Sequence, residues 1–142
     1  MKHSFFAKTI PFFIIAIVVG TFSGHSLETQ AASRQLFVKV PGNPGVFMIQ
    51  NGFKYPIRNE VIFQSYGVAW SSIQPISPLE LQRIPLAHLV KSTEDSRVYF
   101  VDYAIGKKHW QATEHIFLSY GNRFAQVIEI TPTDLFAWED VR

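Results

Sequence analysis

Ile62-Phe63-Gln64-Ser65-Tyr66-Gly67 returns as Ile116-Phe117-Leu118-Ser119-Tyr120-Gly121, 54 residues downstream. Self-similarity at a fixed spacing marks repeated supersecondary units, which bury a shared core by packing on one another. The match runs outward from the hexapeptide. Leu36-Phe37-Val38-Lys39 answers His88-Leu89-Val90-Lys91, and Val46-Phe47-Met48-Ile49 answers Val98-Tyr99-Phe100-Val101, both at an offset of 52. Gly52 answers Gly106 at 54, so the second copy carries two extra residues between Val101 and Gly106. Further on, Trp70 answers Phe124, Ile73 answers Val127, Ser77-Pro78 answers Thr131-Pro132, Glu80 answers Asp134 and Leu81 answers Leu135. Apolar positions meet apolar ones and turn residues meet turn residues.

Each copy reads as the same series of elements. Leu36 to Val40 is β-prone, and Pro41-Gly42-Asn43-Pro44-Gly45 is a loop of turn formers. Val46–Gln50 and Phe53–Ile57 flank Asn51-Gly52, a strong hairpin signal because both residues tolerate positive φ. The second hairpin is expected over Arg97–Asp102 and Lys107–Gln111, with a wider tip at Tyr103-Ala104-Ile105-Gly106. A short helix follows in each copy. Asn59 and Thr113 are its N-caps, Glu60 and Glu114 suit its positive end, and Gly67 and Gly121 stand where a left-handed C-terminal cap is expected. Ile62, Phe63 and Tyr66 share one helix face, as do Ile116, Phe117 and Tyr120, and that face is expected to lie on the hairpin. Val68–Ile76 is an extended piece leading to Ser77-Pro78-Leu79-Glu80, which combines an N-cap, a proline at the first helical position and an acid at the third. Thr131-Pro132-Thr133-Asp134 repeats that start. The expected fold class is α+β with antiparallel pairing: two tandem copies of a strand, β-hairpin, short helix, short helix unit, packed together. The boundaries are 32–87 for the first repeat and 88–142 for the second, forming one compact domain.

Residues 1–31 read as a secretory signal peptide. Lys2, His3 and Lys8 make a basic start, Ile10 to Phe22 is mostly apolar, and a small-residue cleavage site falls after Ala31. The apolar run is shorter than the roughly 20 residues needed to span a bilayer as a helix. An uncleaved N-terminal anchor is the competing reading. There is no twin-arginine pair, which favours the general export route. Setting aside Lys2, Lys8 and Glu28 leaves 11 basic against 10 acidic residues. This balance, with no basic run interleaved with aromatics, argues against a nucleic-acid partner.

The chain has no cysteine, which excludes a disulfide framework, a thiolate metal site, a cysteine nucleophile and a lipid-attached cysteine. Its core must therefore hold unaided, and a high aromatic content in which phenylalanine dominates suits that task. One copy alone would sit near the size at which a single core is marginal.

The pattern Leu-Val-Lys, Val-Tyr-Phe-Val, Gly-Lys-Lys-His-Trp, Phe-x-Ser-Tyr-Gly, then Thr/Ser-Pro-x-Asp/Glu-Leu resembles a repeat of about 50 residues from bacterial extracellular and cell-surface proteins. The resemblance covers residues 36–84 and 88–136. The Gly-Lys-Lys-Arg-Trp-Ile-like core of that repeat survives as Gly106-Lys107-Lys108-His109-Trp110 and departs from the pattern at Gly52-Phe53-Lys54-Tyr55-Pro56-Ile57. It implies a secreted, cell-surface or periplasmic location and a place beside wall-hydrolase or surface-layer modules.

Little in the chain suggests catalysis. His88, His109 and His115 do not form a His-x-x-x-His pair on one helix, so no metal site is expected. Glu114-His115 has Glu60-Val61 as its counterpart, and a capping role for the glutamate explains both copies. Ser65 and Ser119 lack a Gly-x-Ser-x-Gly elbow, and Glu94-Asp95 and Glu139-Asp140 read as solvated. No catalytic residue, cofactor or metal is expected. Tyr66, Tyr120 and Trp70 read as core because they recur at matched apolar positions. Trp110 reads as the surface aromatic, and with Lys107, Lys108 and His109 it forms the expected ligand contact. The function expected is an exported, non-catalytic binding or adhesion module contacting cell-wall polysaccharide or a surface protein, with a membrane role only through an uncleaved leader. The alternative is a structural assembly protein without a small ligand, and a wall hydrolase or hydrolase accessory ranks third.

Overall fold

The computed structural model describes residues 34–141, which belong to one compact unit, Arg34–Arg142. The leader expected over 1–31 lies outside the described residues. Among the described residues are two mixed sheets and four short helices, an α+β fold.

The first half runs β1 (Leu36–Lys39), β2 (Val46–Gln50), β3 (Phe53–Ile57), α1 (Glu60–Ser65), a 3-10 turn (Trp70–Ser72), β4 (Gln74–Pro75) and α2 (Pro78–Arg83). The second half runs β5 (Leu89–Ser92), β6 (Val98–Asp102), β7 (Lys107–Trp110), α3 (Glu114–Ser119), a 3-10 turn (Phe124–Gln126), β8 (Val127–Ile130), α4 (Pro132–Phe136) and β9 (Glu139–Asp140). The sheets have the orders β3-β2-β1-β4 and β8-β5-β6-β7-β9. Thus the two halves place corresponding strands in the same sequence, with β9 added beyond β7.

Local chemistry explains the punctuation. Asn51 and Gly52 take φ of 53° and 82°, so the β2–β3 hairpin closes in two residues with the twist its strands require. Asn59 and Thr113 cap α1 and α3, their side chains accepting from the amides of Ile62 and Ile116. Gly67, at φ 70°, ends α1 in the left-handed region, where a Cβ would add strain. Ser77 and Glu80 close a reciprocal capping box at the start of α2.

The sheets depart from the antiparallel arrangement expected. β4 pairs parallel with β1, β8 with β5, and β9 with β7. The stretch from β3 to β4 carries a helix and a 3-10 turn, the kind of long crossover that a parallel pair requires. The extended piece expected over Val68–Ile76 is interrupted by the 3-10 turn Trp70–Ser72, and the choice of neighbouring strand depends on where the crossover sets the chain down.

The core spans both halves. Phe37, Met48, Tyr55 and Phe63 from the first half pack with Val90, Val101, Ile130 and Trp138 from the second. A smaller cluster of Leu89, Phe117 and Val127 lies within the second half. The first half also covers the open edge of β8: Gln35 Nε2 donates to Glu129 O, Asn51 Nδ2 donates to Val127 O, and Glu129 N donates to Gln50 Oε1. Side-chain amides there occupy backbone groups that would otherwise recruit another strand.

Matched aromatics do not share one fate. Tyr66 is half-buried, whereas Tyr120 is 73% exposed, so the core reading of Tyr120 is overturned. Trp70 is also half-exposed at 51%, although its ring stacks on Phe63 at 4.1 Å; Phe124 stacks likewise on Phe117 at 4.7 Å. These rings lid a helix phenylalanine from the solvent side. The tyrosines differ because α4 packs on α1 and its Asp134 accepts from Tyr66, while Tyr120 lines an open groove.

Candidate binding site

Two places concentrate polar and aromatic side chains: a sealed node between the halves, and an open groove on the second half.

The node centres on Asp134, whose side chain is fully buried. Thr131 caps α4, its Oγ1 accepting from Asp134 N at 3.2 Å, and this fixes where the aspartate side chain leaves the helix. Its Oδ1 accepts from Tyr55 Oη at 2.8 Å and its Oδ2 from Tyr66 Oη at 2.7 Å. Arg58 Nη2 lies 3.5 Å from Oδ1 and donates to Asp134 O, while Nη1 donates to Ala137 O. Arg58 also stacks over the Trp138 ring at 4.1 Å, and Trp138 Nε1 donates to Tyr55 Oη at 2.9 Å. Ser65 and Thr131 share a hydroxyl contact of 2.6 Å beside them. The node therefore ties β3 and α1 to α4.

Burial raises the Asp134 pKa above the usual carboxylate range, with Tyr66, Tyr55 and Arg58 opposing the shift. Burial, reinforced by the neighbouring Asp134, pushes both Tyr55 and Tyr66 upward, so each hydroxyl remains a donor at neutral pH. Carboxylate and phenols are spent on one another inside the protein, out of reach of a substrate. Tyr66→Phe is expected to cost about 1–3 kcal/mol, the range for leaving a buried partner unmet. Tyr120→Phe is expected to change stability by less than about 0.5 kcal/mol, as for a surface substitution. Urea unfolding of the two variants checks the contrast.

The groove, of about 490 Å³, is lined by Phe100, His109, Trp110, Gln111, Ile116, Tyr120 and Asn122. Strand β7 and helix α3 form its walls. Trp110 is 56% exposed, in keeping with its reading as a surface aromatic. Gln111 Oε1 is buried in the wall with no hydrogen-bond partner.

The four residues expected to contact ligand divide. His109 and Trp110 line the groove. Lys107 pairs with Glu139 at 3.8 Å and, with Lys108 and His109, lines a second concavity beside Trp138. Lys108 is buried, donates to Trp138 O and pairs with Asp140 at 3.3 Å. Glu139 and Asp140 are exposed, as read from sequence, but serve as lysine partners. Sequence reasoning overlooked Phe100, Gln111, Ile116, Tyr120 and Asn122 as a lining, and Tyr55, Arg58 and Asp134 as a network. A usable signal lay at the positions where the copies differ. Tyr55 answers His109 and Arg58 answers Ala112, so the first copy carries two groups for an acid that the second lacks. Among the described residues no group of three or more His, Cys, Asp or Glu side chains is placed to hold a metal ion. No described helix is long and apolar enough to cross a membrane.

No family model and no curated protein matches the chain. Among solved structures, the chain is similar to a chain of the periplasmic assembly from the ESX-5 inner membrane complex, at 12% identity and a TM-score of 0.32. That alignment takes in 79% of this chain and about a third (34%) of the other.

Proposed function

We propose that this protein is an exported, non-catalytic binding module that works at the cell surface or in the periplasm through the groove between β7 and α3. A surface protein or cell-wall polysaccharide is its partner. One observation carries the reading: the side of the first half that binds Asp134 and α4 is matched in the second half by an open, aromatic-lined groove. The filled version of this surface holds a short helix and a carboxylate, which favours a polypeptide. Tyr and Trp also supply stacking faces with a polar edge, the means by which a sugar ring would be held. The non-catalytic part of the proposal is supported by the sealing of Asp134, Tyr55 and Tyr66 within the fold.

Retention of purified protein on insoluble peptidoglycan and on intact cells, compared with Trp110→Ala, tests the reading. The exposure of Trp110 makes this variant a fair probe, because its removal leaves the core intact. Wild type is expected to be retained on at least one of the two supports and the variant lost from it. Equal retention of both proteins, or retention of neither, would count against the groove.

A further inference from the structure

The contact between the halves uses different surfaces from each. Strand β2 buries Val46, Met48 and Gln50, whereas β6 buries Tyr99 and Val101, the counterparts of Phe47 and Ile49. The first half offers Met48, Tyr55 and Phe63; the second answers with Tyr99, Val101 and Trp138. In matched numbering the first set becomes Phe100, His109 and Phe117, and the second becomes Phe47, Ile49 and Ile84. Such a heterologous contact does not close after two parts, because each outer part keeps the surface its neighbour has used. The second half keeps the groove. The first half keeps α2, where no residue is buried and Glu80, the counterpart of Asp134, is exposed.

We infer that the groove receives helix α2 of a second copy of this chain, head to tail, as α1 and β3 receive α4 within one chain. The inference rests on the groove being the contact surface. In this docking Glu80 takes the place of Asp134, with Tyr120 standing where Tyr66 stands and His109 where Tyr55 stands. Glu80 is free to accept: its bonds to Ser77 N and Oγ both use Oε2. Those bonds also hold its pKa below the usual range, so it arrives as an anion. Leu81 and Ile84, which answer Leu135 and Trp138, meet Phe100, Ile116 and Trp110 on the other side. One part of the internal contact is not reproduced. Pro75 stands where Glu129 donates its amide to Gln50, and Asp102 stands at the place of Gln50. Association between copies is therefore weaker than the contact within a chain, and it depends on concentration.

Sedimentation of the purified protein over a concentration series provides the test, using Glu80→Arg and Tyr120→Arg. Both side chains are exposed, so Tyr120→Arg is expected to unfold at the wild-type denaturant midpoint and Glu80→Arg, which gives up its capping bonds to Ser77, only slightly below it. Wild-type mass is expected to rise with concentration past the dimer, because the contact is open-ended. Each variant alone remains monomeric, one lacking the donor surface and the other the acceptor. An equimolar mixture of the two restores one good contact and is expected to stop at a 1:1 dimer. A wild type that stays monomeric throughout, a wild type that stops at a closed dimer, or a mixture no heavier than its parts would overturn self-docking. Retention of Tyr120→Arg on peptidoglycan and cells separates that failure from failure of the groove. Lost retention with a monomeric wild type leaves the groove standing with another occupant, and unchanged retention removes both.

Discussion

Asp134→Ala is expected to lower stability by about 3–5 kcal/mol, the range for removing one member of a buried, hydrogen-bonded charge pair. The alanine would leave Tyr55 and Tyr66 with buried hydroxyls and Arg58 without its carboxylate. Domains of this size hold only about 5–15 kcal/mol in total, so this substitution alone removes a large share. Urea denaturation followed by far-ultraviolet circular dichroism measures it. Asp134→Asn keeps the shape and isolates the charge. Because burial raises the Asp134 pKa, the folded state binds that proton more tightly than the unfolded state does. The stability linked to this proton is complete below the ordinary carboxylate value of 3.8 and is lost as pH climbs through the raised value. The stability of wild type relative to Asp134→Asn is therefore expected to fall as the medium goes from acid to neutral. A flat difference would show that Arg58 and the two phenols balance burial, and one of opposite slope that they outweigh it.

The second large effect is expected at Trp138. Trp138→Ala should cost about 3–5 kcal/mol, as for other fully buried large aromatic side chains. The ring lies under Arg58, meets Tyr103 edge-on at 5.3 Å and donates to Tyr55. Trp138→Phe retains most of the packing and loses the indole donor, so its cost is expected near 1 kcal/mol. Asp134 and Trp138 both act through Tyr55, so the double alanine variant should cost less than the two single variants combined. Full additivity would mean that the node is two independent contacts. Equilibrium unfolding of the three variants decides between these outcomes.

The candidate site was half legible in advance. Trp110 and His109 stand in the groove, and their prominence came from a motif that the second copy keeps and the first has lost. The lysines beside them looked equally available, but β9 returns parallel to β7 and brings Glu139 and Asp140 against them. Asp134 was hidden for a related reason. As the third helical residue after Thr131 it reads as a capping acid, and its counterpart Glu80 fills that role. The shorter side chain of Asp134 is turned inward to two tyrosines of the other half, 68 and 79 residues away in sequence.

By itself the sequence determined the elements and their limits. Asn51-Gly52 set a tight hairpin, Asn59, Thr113, Ser77 and Thr131 set four helix starts, and Gly67 and Gly121 stand at two helix ends. These are short-range effects, decided by backbone torsions and by side chains bonding amides a few residues away. Tertiary structure alone decided which face of each hairpin is buried, which strands run parallel, and why Tyr66 is enclosed while Tyr120 faces water. Near-identical local sequence cannot distinguish two tyrosines whose difference lies in α4 packing on one of them.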